Sequence, residues 1–129
     1  MSPSELRYLI ASNELAEGDR AVRQKDVADR LRVSKVSAYN AIERLKEKGF
    51  LEKNERCVVL TEVGKNVLGE YMTIIGFISV HLSKHCGTSE KRAYEDALNA
   101  VCGFSDETRI GVARFIESGM NGIHHGFGV

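Results

Sequence analysis

The stretch from Arg23 to Thr61, RQKDVADRLRVSKVSAYNAIERLKEKGFLEKNERCVVLT, decides the fold. Val27, Ala28 and Leu31 fall at i, i+1 and i+4, one apolar stripe of a helix. Arg32-Val33 leads to Ser34, a good N-cap, and a second helix starts at Lys35-Val36-Ser37. That helix is expected to bury Ala38, Ala41, Ile42 and Leu45 and to expose Lys35, Ser37, Tyr39, Asn40 and Arg44. Gly49 suits its C-terminal stop, with Lys46 and Lys48 in the last turn, where cations favour the helix dipole. The period then changes from 3.6 to 2. Phe50-Leu51-Glu52-Lys53 and Cys57-Val58-Val59-Leu60-Thr61 read as strands joined by a turn at Asn54-Glu55-Arg56. A helix-turn-helix followed by a hairpin with basic tips is a winged helix. Its short, polar, cationic outer face fits a reader of a DNA groove. A merely solvated charged face is the plainer alternative.

Working outward, Ser2-Pro3-Ser4-Glu5 is a helix start: Ser at the N-cap, Pro in the first turn and Glu completing a capping box. Leu6, Leu9, Ile10 and Leu15 form the expected buried stripe of that helix, which ends at Glu17-Gly18-Asp19. After the wing, Thr61 caps a helix running through Val67, Leu68, Tyr71, Met72 and Ile75 to about His85. From Ile74 to Val80 it is apolar nearly all round, so it must be covered on several sides. A second subunit is the expected cover, with Ile74, Ile75, Phe77 and Ile78 as dimerisation residues. Two more helices follow, from Ser89 to Cys102 and from Ser105 through Ile116. The expected fold is mainly α with a small β-hairpin. Residues 1–64 form the winged helix-turn-helix, 65–118 a helical dimerisation domain and 119–129 a flexible tail.

The whole chain of 129 residues is neutral, which alone argues against a nucleic-acid partner. The distribution argues for one. From Arg20 to Arg56 there are 11 Lys/Arg against 6 Asp/Glu, net +5, which leaves −5 elsewhere. No signal-peptide pattern or apolar run of membrane-spanning length is present, and Cys57, Cys86 and Cys102 are an odd, widely spaced set. A cytoplasmic protein without a membrane partner is expected.

On double-stranded DNA the helix beginning at Ser34 is expected to enter the major groove. Asn40 suits the N6/N7 edge of adenine, and Val36 and Ala38 suit thymine methyl groups. Ser34, Lys35, Ser37, Tyr39, Arg44 and Arg56 suit phosphates, which position without specifying sequence. Catalysis is not expected. Gly64-Lys65-Asn66-Val67-Leu68-Gly69 has P-loop glycine spacing, but Glu70-Tyr71 follows where Lys and Ser/Thr are needed. His81 and His85 stand at i, i+4, a metal-binding spacing on a helix, with Cys86 adjacent. Cys102, or His124 and His125, would complete a shell. The alternative is two histidines that complement a helix C-terminus.

Taken together, Ser4 and Tyr8, Asp26-Val27-Ala28-x-x-Leu31, Val33-Ser34, Gly49-Phe50-Leu51, Leu60-Thr61-x-x-Gly64, Tyr94-x-Asp96-Ala97 and Ser105-Asp106-Glu107 resemble the DtxR/MntR family of iron- and manganese-dependent transcriptional repressors. The resemblance spans about residues 3 to 117 and is to the short architecture without an SH3-like domain. It implies a homodimer on a palindromic operator, with divalent metal licensing DNA binding. At the family's ligand positions this chain has Arg7, Ile10, Ile75, Leu98, Val101 and Cys102, and Ile75, Ser79 and Tyr94 stand at the ancillary ones. Only Cys102 is a good ligand, and a hard oxygen-rich site cannot be built from such residues. The expectation is therefore a repressor with an altered or lost metal switch. A transition metal (Fe, Mn or Zn) would sit at a non-standard site, or none would bind. Arg7 is a candidate electrostatic substitute for the cation. A winged-helix protein-interaction module and a metal or redox sensor are the competing classes.

Overall fold

A computed structural model describes residues 1–119. It contains α1 (Pro3–Leu15), α2 (Gln24–Leu31), α3 (Lys35–Glu47), β1 (Leu51–Asn54), β2 (Cys57–Leu60), α4 (Glu62–His85), α5 (Glu90–Val101) and α6 (Asp106–Glu117). The fold is mainly helical with one antiparallel hairpin, as the periodicities predict. Two compact units divide inside α4, after Leu68, rather than at its start. The expected mobile tail and the pair His124 and His125 lie outside the described residues.

In the first unit α1 and α3 start on a serine that meets an unpaired amide, whereas α2 has no side-chain cap and only a return bond from its third residue. Ser2 Oγ accepts from Glu5 N at 3.1 Å while Glu5 returns the bond to Ser2 N at 3.0 Å. Asp26 accepts from Arg23 N at the head of α2 (3.0 Å), and Ser34 Oγ accepts from Ser37 N at the head of α3 (3.0 Å). Leu6, Leu9, Val27, Ala38, Ala41, Ile42, Leu45 and Leu51 are essentially fully buried. The buried side of α1 differs from the expected stripe: Ile10 and Leu15 are only half-buried, and Tyr8, Ala11 and Ser12 go inside instead. Ser12 is tolerated there because its hydroxyl donates to the Tyr8 carbonyl at 2.8 Å.

The wing is tighter than the sequence suggests. Asn54 pairs with Cys57, so the turn is the two residues Glu55-Arg56, with Glu55 at φ 58°. Phe50 is not in the strand because its backbone closes the end of α3: its amide donates to Leu45 O and its carbonyl accepts from Thr61 N. Thr61 and Gly64 then pin the wing to α4. The Thr61 hydroxyl donates to Gly49 O and accepts from Gly64 N at 2.9 Å, and Gly64 lies so close to the Phe50 carbonyl that a Cβ there would overlap it. This is the physical content of the Leu60-Thr61-x-x-Gly64 pattern. Val22 and Arg23 add a short edge to the hairpin, through Val58 N donating to Val22 O at 2.7 Å and a bridge between Arg23 and Cys57.

In the second unit the fully buried positions are Ile74 and Ile75 on α4 and Ala93, Ala97 and Val101 on α5, with Ala113 of α6 nearly so. This corrects part of the expected dimer surface. Ile74 and Ile75 have no exposed surface and serve the chain's own core, while Phe77 and Ile78 are half-buried. An all-round apolar helix needs covering, but residues of the same chain can supply much of it. Arg109, unremarked in the sequence, is buried and satisfied: it donates to Glu70 (3.0 Å) and Asp106 (2.7 Å) and lies over the Tyr71 ring at 5.2 Å. Among the described residues no helix is long and apolar enough to cross a membrane.

Candidate nucleic-acid interface

The buried residues of α3 fix which side of it faces out. At about 100° per residue, the direction opposite Ala38, Ala41, Ile42 and Leu45 is occupied by Val36 and Asn40, then Glu43 and Glu47. Val36 is 69% exposed and Tyr39 49%, and Lys35 and Asn40 are exposed beside them. Ala38 has no exposed surface, so it is corrected from a base contact to a core residue. One residue cannot pack against α1–α2 and touch a base. Ser34 and Ser37 are exposed but already tied to each other, hydroxyl to hydroxyl at 2.9 Å, as well as to the helix cap.

Farther along, the charges on α3 are engaged by their own domain. Glu43 accepts from Lys53 of the wing at 2.7 Å and pairs with Lys46 at 3.8 Å. The hydrogen bond from Lys53 holds the Glu43 carboxyl below the ordinary range against an opposing desolvation. The Lys53 ammonium also sits 4.6 Å from the centre of the Tyr39 ring. On the other flank Arg44 (3.4 Å) and Lys48 (2.9 Å) reach the buried carboxylate of Glu5 on α1. Arg44 thus also braces α1 against α3, with its side chain still about half exposed. Burial pushes Glu5 up, but the Ser2 amide and Lys48 outweigh it and hold its carboxyl down at about 2.

Between the start of α2, the exposed flank of α3 and the wing lies an open cleft of about 430 Å³, lined by Arg23, Gln24, Lys25, Tyr39, Lys53, Glu55 and Arg56. Lys53 is already paired with Glu43, but Arg23, Lys25 and Arg56 against the one carboxylate of Glu55 still make it a place for an anion. Of these residues the sequence singled out only Tyr39 and Arg56. Arg23, Lys25 and Lys53 were hidden in the charge count, because their convergence depends on Val22-Arg23 pairing with β2. The β-branched Val22 just ahead of the helix start is the one local signal for that pairing.

The expected metal constellation is not assembled with Cys102 among the described residues. Among the described residues no three His, Cys, Asp or Glu side chains stand together as metal ligands, so Cys102 does not join His81 and His85. Cys102 is half-buried at the end of α5, whereas His81, His85 and Cys86 are exposed. At the positions where the resemblance puts ligands, Ile75 and Val101 have no exposed surface, Leu98 has 2%, and Arg7 is exposed. Buried hydrocarbon does not fit an Mn²⁺ or Fe²⁺ site.

No protein-family model and no curated protein sequence matches the chain. Solved structures do. A hypothetical protein, SSo2273 from Sulfolobus solfataricus, superposes with a TM-score of 0.70 at 19% identity, covering 90% of this chain and 89% of that one. The metal-dependent transcriptional regulator MtsR (TM-score 0.72, 19% identity) and the manganese regulator SloR (TM-score 0.72, 22% identity) each match over 91% of this chain. The chain spans about half the length of those two regulators, 55% of each. At these identities the likeness establishes a shared fold: a winged helix with a following helical unit of the kind found in metal-dependent transcriptional regulators.

Proposed function

We propose that this chain is a sequence-specific DNA-binding transcriptional regulator of the DtxR/MntR type, acting as a homodimeric repressor on a palindromic operator. The observation that carries the reading is the basic cleft around Arg23, Lys25 and Arg56 beside the exposed first turns of α3. In a winged helix this is where the duplex backbone meets the protein as the helix enters the major groove. Lys35, Arg23, Lys25 and Arg56 hold phosphates. Asn40 reads adenine and Val36 packs on a neighbouring thymine methyl. The likeness to regulators, none of them named as an enzyme, supports a non-catalytic role. The hydrocarbon at the family's ligand positions supports binding that does not wait for manganese or iron there.

The test is fluorescence anisotropy of chelator-treated protein on the DNA upstream of its own coding sequence, with and without Fe²⁺, Mn²⁺ and Zn²⁺. Tight, salt-sensitive binding in chelator is the expected result. The exposure of Val36 and Tyr39, with Val59 on the wing, favours one second reading: a winged helix that docks on a protein. Weak binding that is equal on all DNA would turn the assignment to that reading.

A further inference from the structure

We propose that His81 and His85 form a two-histidine chelating site for a nitrogen-preferring transition-metal dication, Cu²⁺, Ni²⁺ or Zn²⁺, near the C-terminal end of α4. The site is separate from the DNA interface and does not rest on the DNA-binding reading. Both imidazoles are exposed on one face of the helix, one turn apart, with ring centroids 5.3 Å apart and planes at 27°. A metal bound about 2.1 Å from one nitrogen of each ring needs those nitrogens about 3 Å apart. Rotation about the side-chain bonds supplies that from the observed spacing. The Phe77 ring lies 4.5 Å from that of His81, so Phe77, His81 and His85 run as one aromatic row along the helix.

Electrostatics at the helix end support a cation there, since the last turns of α4 present the negative end of its dipole. The neighbouring cation, Lys84, is set about 100° round the helix from His85 and so leaves the face open. Among the described residues no carboxylate or thiol joins the pair as a third ligand. Two imidazoles with the remaining positions left to water select metals that prefer nitrogen donors, with Cu²⁺ tightest, Ni²⁺ next and Mn²⁺ far weaker. This differs in place and in chemistry from the positions that the family resemblance suggests for a metal.

The experiment is calorimetric titration of the untagged, chelator-treated full chain with CuCl₂, NiCl₂ or MnCl₂ at pH 7.5, paired with the electron paramagnetic resonance spectrum of the Cu²⁺ form. One Ni²⁺ per chain is expected, with Mn²⁺ at least about 100-fold weaker. His81→Ala and His85→Ala should each weaken Ni²⁺ at least about tenfold and remove one nitrogen coupling from the Cu²⁺ spectrum, with thermal melting unchanged. A His124→Ala/His125→Ala double variant should keep wild-type affinity and both couplings. The proposal is overturned if His81→Ala and His85→Ala bind as wild type. Loss of the site in the tail double variant instead, or Mn²⁺ binding as tight as Ni²⁺, would equally overturn it.

Discussion

At its N-terminal end α3 leaves Lys35, Val36, Tyr39 and Asn40 exposed, whereas two turns later the same helix has Glu43, Arg44, Lys46 and Lys48 bound into ion pairs of its own domain. In the sequence the second end is the more basic, with Arg44, Lys46 and Lys48 against Lys35 alone, yet only the first leaves its outer side chains for a ligand. Arg44 and Lys48 neutralise Glu5 and fasten α1 to α3, and Lys53 fastens the wing through Glu43. Cations near α3 are thus of two kinds, and counting them overstates the number available to an anion.

If this division of labour is right, the largest effect comes from cutting the braced end. Glu5→Gln should cost about 2 to 3 kcal/mol of unfolding free energy at pH 7, read from urea denaturation. The sign follows from its carboxyl being held at about 2 in the folded chain against an ordinary 4.5. The stabilisation is complete above about pH 4.5 and is lost as pH falls towards 2, so wild type and Glu5→Gln should converge in stability over that range. At the reading end the cost moves from stability to binding. Asn40→Ala should lose about 1–3 kcal/mol on the preferred operator and little on random DNA. An equal loss on both would contradict base readout.

Lys35→Ala should weaken binding by a similar factor on every sequence and reduce the slope of log K against log salt by about 1. The smallest effect sharpens the contrast most. Val36→Ala should leave unfolding within about 0.5 kcal/mol of wild type, because its side chain is mostly in water. A large loss of stability there would mean that the first turns of α3 also belong to the scaffold.

The helices, their caps and the wing were legible because each rests on short-range chemistry. Ser2 with Glu5, Ser34 with Ser37 and Thr61 with Gly64 are contacts three residues apart. Asn40 and Val36 were legible as outward residues for the same reason, since helical period alone opposes them to Ala41, Ile42 and Leu45. Ala38 was misassigned where one residue was given both a buried and a base-facing role, which a single helix position cannot fill.

The sequence by itself determined the order of elements, the winged-helix class, the place where a basic surface would lie and the absence of suitable manganese ligands at the expected positions. All of these follow from periodicity, capping and residue chemistry within a few positions. Only the tertiary structure decided which charges remain for a partner. Glu5 meets Lys48 across 43 positions, Lys53 meets Glu43 across 10, and Arg109 meets Glu70 across 39. It also decided that Val22-Arg23 joins the wing to build the cleft, and that Ile74 and Ile75 belong to the chain's own core. Pairings at such separations depend on how helices pack, and no local pattern of charge or hydropathy specifies them.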